Sequence, residues 1–373
     1  MDNKNFETYF DCGCSKIRAT AFNKNNNQNY FCNESKFFLN YLEIDITYEF
    51  QKIIASLENN TKEYLNDINL MIDSPKMLSI EISLFQKLDG LKLKKEHIQF
   101  LIQDAKQQIL RNYASQNILH IIIKNYKIDG LNFEYLPNNL ECNLISLDIL
   151  FICLPKNIVE FYKNKFSELG ISVNRVICTS YAKSINYKNN LSLIDKILFI
   201  DIGFNKTSII CYDNNRINFF HTFPIGSNNI TKDLSKVLDI DLVSAEKLKL
   251  YFVEDKNLSK EKNISLDLIQ QIIFARIEEI LELCDKSKKL NSNFDQADSF
   301  RMMLMGDGSK ILNNEHQNIL SVPHRMDLLE EGVEAICQSG RKLTEGLNKQ
   351  EVIIIPRKQT NLGFFEKFFH LFR

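Results

Sequence analysis

Tryptophan is missing from the 373 residues, glycine stands at only 12 and proline at 6. Glycine at under half its usual share of roughly 7% excludes loops built from long glycine runs. Any turn whose backbone must approach a ligand closely draws on very few residues, so the places where glycine falls are informative. An excess of one charge is lacking too: 46 Lys and Arg face 47 Asp and Glu, for a formal net charge of −1. That balance gives no electrostatic reason to expect nucleic acid as a partner. No window holds the roughly 18 uninterrupted apolar residues of a spanning helix. The start, MDNKNFETYF, has neither the basic nor the apolar region of a secretory signal. A chain made and kept in the cytosol, with no signal peptide and no transmembrane span, is expected. The nine cysteines include Cys12 and Cys14 as C-x-C but no C-x-x-C and no paired Cys/His spacing. They read as reduced, buried hydrophobes rather than zinc ligands or disulfides.

What is there is enough chain for two or three domains with full-sized cores. Residues 6–22 and 196–212 are rich in branched and aromatic residues, and each run has an Asp-x-Gly turn in its middle, which predicts strand, tight turn, strand. Ile98, Leu101, Ile102, Ala105 and Ile109 recur at helical spacing between Lys95 and Asn112. Strands are expected over His120 to Gly130, Leu144 to Pro155 and Ser172 to Cys178, with helices near Lys156 to Leu169 and Ser265 to Leu283. This alternation is that of an α/β fold.

The two Asp-x-Gly runs form an internal repeat. Aligning YFDCGCSKIRATAF with FIDIGFNKTSIICY places Asp11 over Asp201, Gly13 over Gly203 and Lys16 over Lys206. One reading is a pair of hairpins facing each other across a cleft, with backbone N–H groups turned to phosphate and each Asp offered to a metal or its waters. The other is two ordinary Asp-Gly hairpin turns, which are common. A third glycine site, Gly306-Asp307-Gly308-Ser309, ends an apolar strand before an expected helix and suits a ribose and phosphates. Glu246 and Lys249 share one face of the helical piece SAEKLKLYF. They are suited either to ribose hydroxyls and to base or phosphate, or to a solvated surface pair.

In this order, the two hairpins, the Ala-Glu-x-x-Lys helix and the late Gly-x-Gly turn resemble the actin/Hsp70/sugar-kinase ATPase superfamily. Within it the whole chain resembles the FtsA family of bacterial cell-division proteins. DCGCSKIRA looks like that family's first phosphate loop, DIGFNKTSI its second, MGDGSKI its adenosine turn, and EGVEAI the helix that closes the core. The stretch from about Ile82 to Asn157 resembles the family's insert domain, shared with pilus-assembly relatives such as PilM. The resemblance implies an actin-like ATPase fold of two ribonuclease-H-like domains around a nucleotide cleft, carrying that insert. It divides the chain into 1–81 with 158–194 as first core domain, 82–157 as insert, and 195–225 with 300–340 as second core domain. The remainder is 226–299 as an upper subdomain that receives FtsZ, 341–360 as a linker and 361–373 as a membrane-targeting helix. It implies ATP and Mg as cofactors, with Asp11 and Asp201 positioning metal and water. Gly13, Ser15, Lys16, Gly203, Lys206, Thr207, Glu246, Lys249, Gly306, Gly308 and Ser309 would bind nucleotide, and Arg276 would lie in the FtsZ site.

The chain ends NLGFFEKFFHLFR, where Phe364, Phe365, Phe368, Phe369, Leu371 and Phe372 make one wide apolar stripe and Lys367 and Arg373 lie on its polar side. Such a stripe reads as an anchor lying in the headgroup plane, or as a helix docked on the protein's own surface. The resemblance makes it the tether of FtsZ filaments to the inner face of the cytoplasmic membrane at the septum. Many copies in an actin-like protofilament, alongside other division proteins, would give firm attachment. A PilM-like pilus adaptor and a sugar or acetate kinase are the alternatives. The family's second phosphate loop is typically Asp-x-Gly-Gly-Gly-Thr-Thr-Asp, whereas here Phe204, Asn205 and Lys206 follow Gly203. Phe at positive φ would be an outlier, so a differently shaped loop and slow or absent hydrolysis are expected. Lys206 either supplies charge to phosphate or is solvated. The run EVIIIP before the tail is either an added strand or a sticky linker.

Overall fold

Continuous apolar runs along the central strands, buried on both faces, and a 3.6-residue period along the helices build three sheets with helices packed on them, seen in a computed structural model. It describes residues 5–25, 29–36, 46–137, 140–191, 194–253, 265–291, 300–313, 316–317, 326–346 and 350–352. The stripe at 364–373 lies outside the described residues.

The first sheet orders β3(Asn29–Lys36), β2(Lys16–Asn23), β1(Phe6–Cys12), β4(Asp67–Ile72) and β9(Ser172–Cys178). Its first three strands are antiparallel, while β4 and β9 run parallel to β1. The second sheet repeats this plan with β12(Arg216–Phe223), β11(Thr207–Asp213), β10(Lys196–Ile202), β13(Arg301–Met305) and β14(Met326–Leu328). The sequence repeat is therefore a repeat of topology. Asp11 and Asp201 occupy equivalent places: each lies one residue before the end of its lobe's first strand and pairs with a parallel neighbour, Met71 in one sheet and Met305 in the other.

The third sheet orders β5(Leu78–Lys87), β8(Leu144–Pro155), β6(Gln116–Ile128) and β7(Leu131–Phe133), all antiparallel. It is an insertion in the first lobe, entered after β4 and left before α3(Lys156–Glu168). α2(Lys95–Asn112) lays Ile98, Leu101, Ala105 and Ile109 against Ile121, Ile123, Ile145, Leu147 and Ile149, a separate small core. α1(Ile46–Thr61) and α3 cover the first sheet, where Phe50 stacks on Phe166 at 4.3 Å between ring centroids. α5(Ser227–Leu238), α6(Leu242–Val253) and α7(Leu266–Asn291) bury their apolar faces with the second sheet. α4(Thr179–Asn190) and α8(Val333–Thr344) pack together between the lobes, and α4 buries nine of its twelve residues. Its polarity is thus internal, a sign of bonded side chains rather than of a solvent face.

The eight described cysteines are free, as expected of structural thiols. None of the described helices is long and apolar enough to cross a membrane. Most of the stretch where a helix is expected after the Gly306 to Ser309 turn lies outside the described residues, and that turn runs into a short 3-10 turn, Asp307–Ile311. Gly306 enters it at φ +83, and a Cβ there would lie 2.4 Å from the Ile202 carbonyl oxygen, so both conformation and contact demand glycine. Of the EVIIIP run, Glu351 bridges to Ile122 of β6, so its described start is an added strand rather than a loose linker. Val352 N–H donates to the Ile121 carbonyl at 2.9 Å, and Ile123 N–H donates to Gln350 at 2.9 Å.

Candidate functional site

The hairpin turns Gly13 to Lys16 and Gly203 to Lys206 line one cleft between the lobes, about 640 Å³ of empty volume open to solvent. Each turn closes with the same bond, Gly13 N–H to the Lys16 carbonyl at 2.9 Å and Gly203 N–H to the Lys206 carbonyl at 2.8 Å. Neither turn uses positive φ. This is why Phe204 and Asn205 are tolerated: the turn never asks for the conformation in which Phe would be an outlier.

Of the residues singled out in the sequence, Asp11, Gly13, Ser15, Lys16, Asp201, Gly203, Lys206 and Gly306 line this cleft. Thr207 is buried behind it and donates to the Ile225 carbonyl at 2.8 Å. Ser309 is also buried and donates to the Gly306 carbonyl, while Gly308 packs on Ile202. Glu246 and Lys249 are not a solvated pair. They are 6% and 3% exposed, bond each other at 2.6 Å and share Thr231. Lys249 also lies 5.6 Å from the centre of the Phe204 ring, so this pair supports the second turn from behind. Arg276, on α7, holds Asp233 of α5 through two bonds of 2.7 and 3.0 Å.

The cleft's chemistry rests on residues that motif reading missed. Thr179 and Ser180, consecutive at the start of α4, reach the carboxylates: Thr179 Oγ1 donates to Asp11 at 2.8 Å, and Ser180 Oγ lies 2.6 Å from both Asp201 and Asp73, with one proton to give to either. A helix N-terminus favours negative charge, which suits both. Asp11 also meets Arg18 at 3.0 Å, its partner across the hairpin. Burial pushes the Asp11 carboxyl above the usual range, against the pull of Arg18 and Thr179. Asp201 differs. Burial pushes it up as well, but the ammoniums of Lys183, at 2.9 Å, and Lys206, at 3.0 Å, outweigh burial and hold it well below the usual range.

Lys206 is neither solvated nor free for phosphate. It is 4% exposed and meets Asp73 at 2.8 Å besides Asp201. Lys183 reaches Glu331 at 3.2 Å, and Glu331 in turn accepts from the Gly306 N–H at 2.6 Å. On the other wall, Asp307 of the 3-10 turn binds Lys16 at 2.6 Å and Arg18 at 2.8 Å across the lobes. Burial raises Asp307 too, but Arg18 and Lys16 prevail and depress it. Asp73 follows the apolar strand β4, at the carboxyl end where parallel sheets place their sites, and that position was the available signal. Lys183 belongs to a run with no motif of its own, while Glu331 opens EGVEAI, which reads in the sequence as a closing helix and not as part of the site.

Comparisons with known proteins agree with this architecture. The PilM-PilN type IV pilus biogenesis complex contains a chain that superposes with a TM-score of 0.64 at 12% identity, covering 91% of this chain and 93% of that one. Ethanolamine utilization protein EutJ from Carboxydothermus hydrogenoformans gives 0.50 at 11% identity, covering 90% and 89%. Together with the duplicated lobes and the cleft between them, this makes the chain an α/β protein of the actin-like ATPase fold with an inserted subdomain. Residues 198–347, from β10 to the end of α8, match the family model for cell division protein FtsA. Cell division protein FtsA of Buchnera aphidicola subsp. Baizongia pistaciae is 24% identical over 263 residues, 63% of this chain and 61% of that protein. FtsA of Agrobacterium fabrum is 23% identical over 248 residues, 60% and 54%. The chain thus spans about six-tenths or less of these curated relatives. Over its second half the chain is similar to the FtsA family, and the curated relatives are 23–24% identical to it.

Proposed function

We propose that this chain is an FtsA-type membrane adaptor. It would bind the C-terminal peptide of FtsZ through the lobe of α5 and α7 around Arg276, assemble as an actin-like protofilament, and hold FtsZ at the inner face of the cytoplasmic membrane through Phe364 to Arg373. The supporting observation is that the family match falls on 198–347, the half that contains α5, α7 and the second hairpin. The domain limits drawn from the sequence are part of this proposal. The pilus-adaptor alternative draws on a fold likeness alone. A kinase would need a free carboxylate as base, and Asp11, Asp73, Asp201 and Glu331 are all engaged by hydroxyls, amides or cations.

In this reading adenine nucleotide lies in the cleft, with its phosphates between the two turns and Lys16 turned toward them. The pair of Lys16 with Asp307 is partly exposed, so exchanging Asp307 for phosphate costs little. Mg, which the resemblance also implies, fits less well. Among the described residues no group of three or more His, Cys, Asp or Glu is placed to hold a metal. Asp11 and Asp201, its expected ligands, already face Arg18, Lys183 and Lys206. The residues present do not fit a divalent cation, and hydrolysis slow or absent follows, since turnover in such sites needs a positioned water and metal. Sedimentation of the full chain and of a form lacking Gly363 to Arg373 with anionic liposomes tests the adaptor. Only the full chain should pellet, and FtsZ should follow it; equal pelleting of both forms would refute the tether.

A further inference from the structure

We infer that the Lys206 ammonium is the resident cation of this cleft, standing where a divalent metal would otherwise screen the acidic groups, so that ligand binding here is independent of metal. The inference rests on the nucleotide reading for its ligand but not for its cation.

The geometry around Lys206 Nζ is that of a caged ion. Asp73 Oδ2 lies at 2.8 Å, Asp201 Oδ2 at 3.0 Å and Ser208 Oγ at 3.0 Å, and Ser180 Oγ completes a shell of four oxygens. The shell is drawn from both lobes: Asp73 and Ser180 from the first, Asp201 and Ser208 from the second. The cation therefore cross-links them as a bound metal would. Ser180 Oγ lies 2.6 Å from Asp73 and 2.6 Å from Asp201 and donates its one proton to one of them at a time, so the two carboxylates converge on one point. Convergence of buried carboxylates without a cation would be costly.

Lys206 gets there by its place in the chain. It is the last residue of the second turn, fixed by the Gly203 to Lys206 bond, and a short path leads from its backbone to Asp201. Lys183, bonded to the other oxygen of Asp201 and to Glu331, adds a second ammonium beside the first. A divalent ion entering this cage would meet two ammoniums that are already satisfied, and like charges disfavour it. Lys16 occupies the matching place in the first turn but reaches outward to Asp307, with 20% of its side chain exposed. The two halves of the repeat have thus divided the work, with an inward lysine as fixed counter-ion and an outward one available to a ligand.

Binding of Mn²⁺ to the full chain, read by electron paramagnetic resonance, tests the cation directly, and titration with a fluorescent adenosine diphosphate in EDTA and in excess Mg²⁺ tests its consequence. The unaltered protein should hold no Mn²⁺ in the cleft. Its nucleotide affinity should agree within about twofold between the two conditions. Lys206→Met, close in length but uncharged, should gain at least about tenfold in Mn²⁺ affinity. Stoichiometric Mn²⁺ binding by the unaltered protein that Asp201→Asn abolishes would overturn the inference, as would nucleotide binding about tenfold tighter with Mg²⁺. Failure of nucleotide to bind in either condition would count against the nucleotide reading, while the Mn²⁺ comparison still decides the lysine. Should Lys206→Met fail to fold, amine labelling of the unaltered chain decides. Lys206 should stay unreactive with and without Mg²⁺, and labelling that Mg²⁺ induces would overturn the proposal.

Discussion

Glu351 closes a junction whose loss should be large and local. Its side chain is 5% exposed and accepts from Arg175 at 2.7 Å, while its other oxygen lies 3.4 Å from the Tyr181 hydroxyl. It also meets His120 Nδ1 at 2.8 Å, and that ring is wholly buried. His120 Nε2 accepts from the Cys178 N–H at 2.9 Å, so Nδ1 carries the proton and donates to Glu351. Glu351→Ala leaves that buried N–H without an acceptor, a cost of about 1–3 kcal/mol. It also removes a charge-assisted bond from Arg175, discounted because Arg175 is 29% exposed and water can replace the partner. The expected loss is roughly 2–4 kcal/mol, and Glu351→Gln, which keeps an acceptor, should lose about 1 kcal/mol. Hydrogen exchange reads this per amide, without requiring the whole chain to unfold together. The amides of Ile123 and Val352, bonded across this junction, should lose protection in Glu351→Ala, while those of β10 keep theirs. Unchanged exchange at Ile123 and Val352 would show that the added strand is held by its backbone bonds alone.

Gly306→Ala should cost roughly 2–4 kcal/mol, because φ +83 and a Cβ at 2.4 Å from a backbone oxygen both oppose it; a shift in urea midpoint under a quarter of that would refute the packing argument. Phe204→Gly, which moves the turn toward its relatives' sequence, should destabilise by about 1–2 kcal/mol, since the turn needs no positive φ and the ring gives up Lys249. A more stable Phe204→Gly in thermal unfolding would contradict this. Acid should weaken the cleft in a defined direction. In Asp201 and Asp307 burial is outweighed by Lys183 with Lys206 and by Arg18 with Lys16, so both titrate below the usual carboxylate range. The unfolded chain takes up those protons first, and the stability they give is complete above about pH 5 and lost as pH falls through and below that value. Asp11, raised by burial, works the other way, since its folded form is protonated first. Asp201→Asn should flatten the acid limb of a midpoint-against-pH curve followed by circular dichroism.

The repeat was legible because it is written twice: Asp, Gly and Lys at the same spacing imply the same hairpin, and the two sheets have the same strand order. The insert's helix was legible from Ile98, Leu101, Ala105 and Ile109, all of which are buried in its own small core. The partners were not legible, since spacing reports neighbours along one element and the cleft is assembled from several. Asp73 follows β4, Thr179, Ser180 and Lys183 open α4, Lys206 ends a turn, Asp307 begins the 3-10 turn and Glu331 precedes α8. No local pattern marks a lysine as inward. The sign of Lys206's role turned on burial: with 4% exposure, an unpaired ammonium would have cost far more than a surface one, so acids had to be there to meet it. That requirement bears on the second turn, whose sequence differs from the pattern that the resemblance implies. Glycines at 204 and 205 would let a backbone approach a metal-bound phosphate. Under the proposal that Lys206 is the cleft's cation, the turn would have no metal to approach, and Phe204 packs near Lys249, its ring centre 5.6 Å from that ammonium.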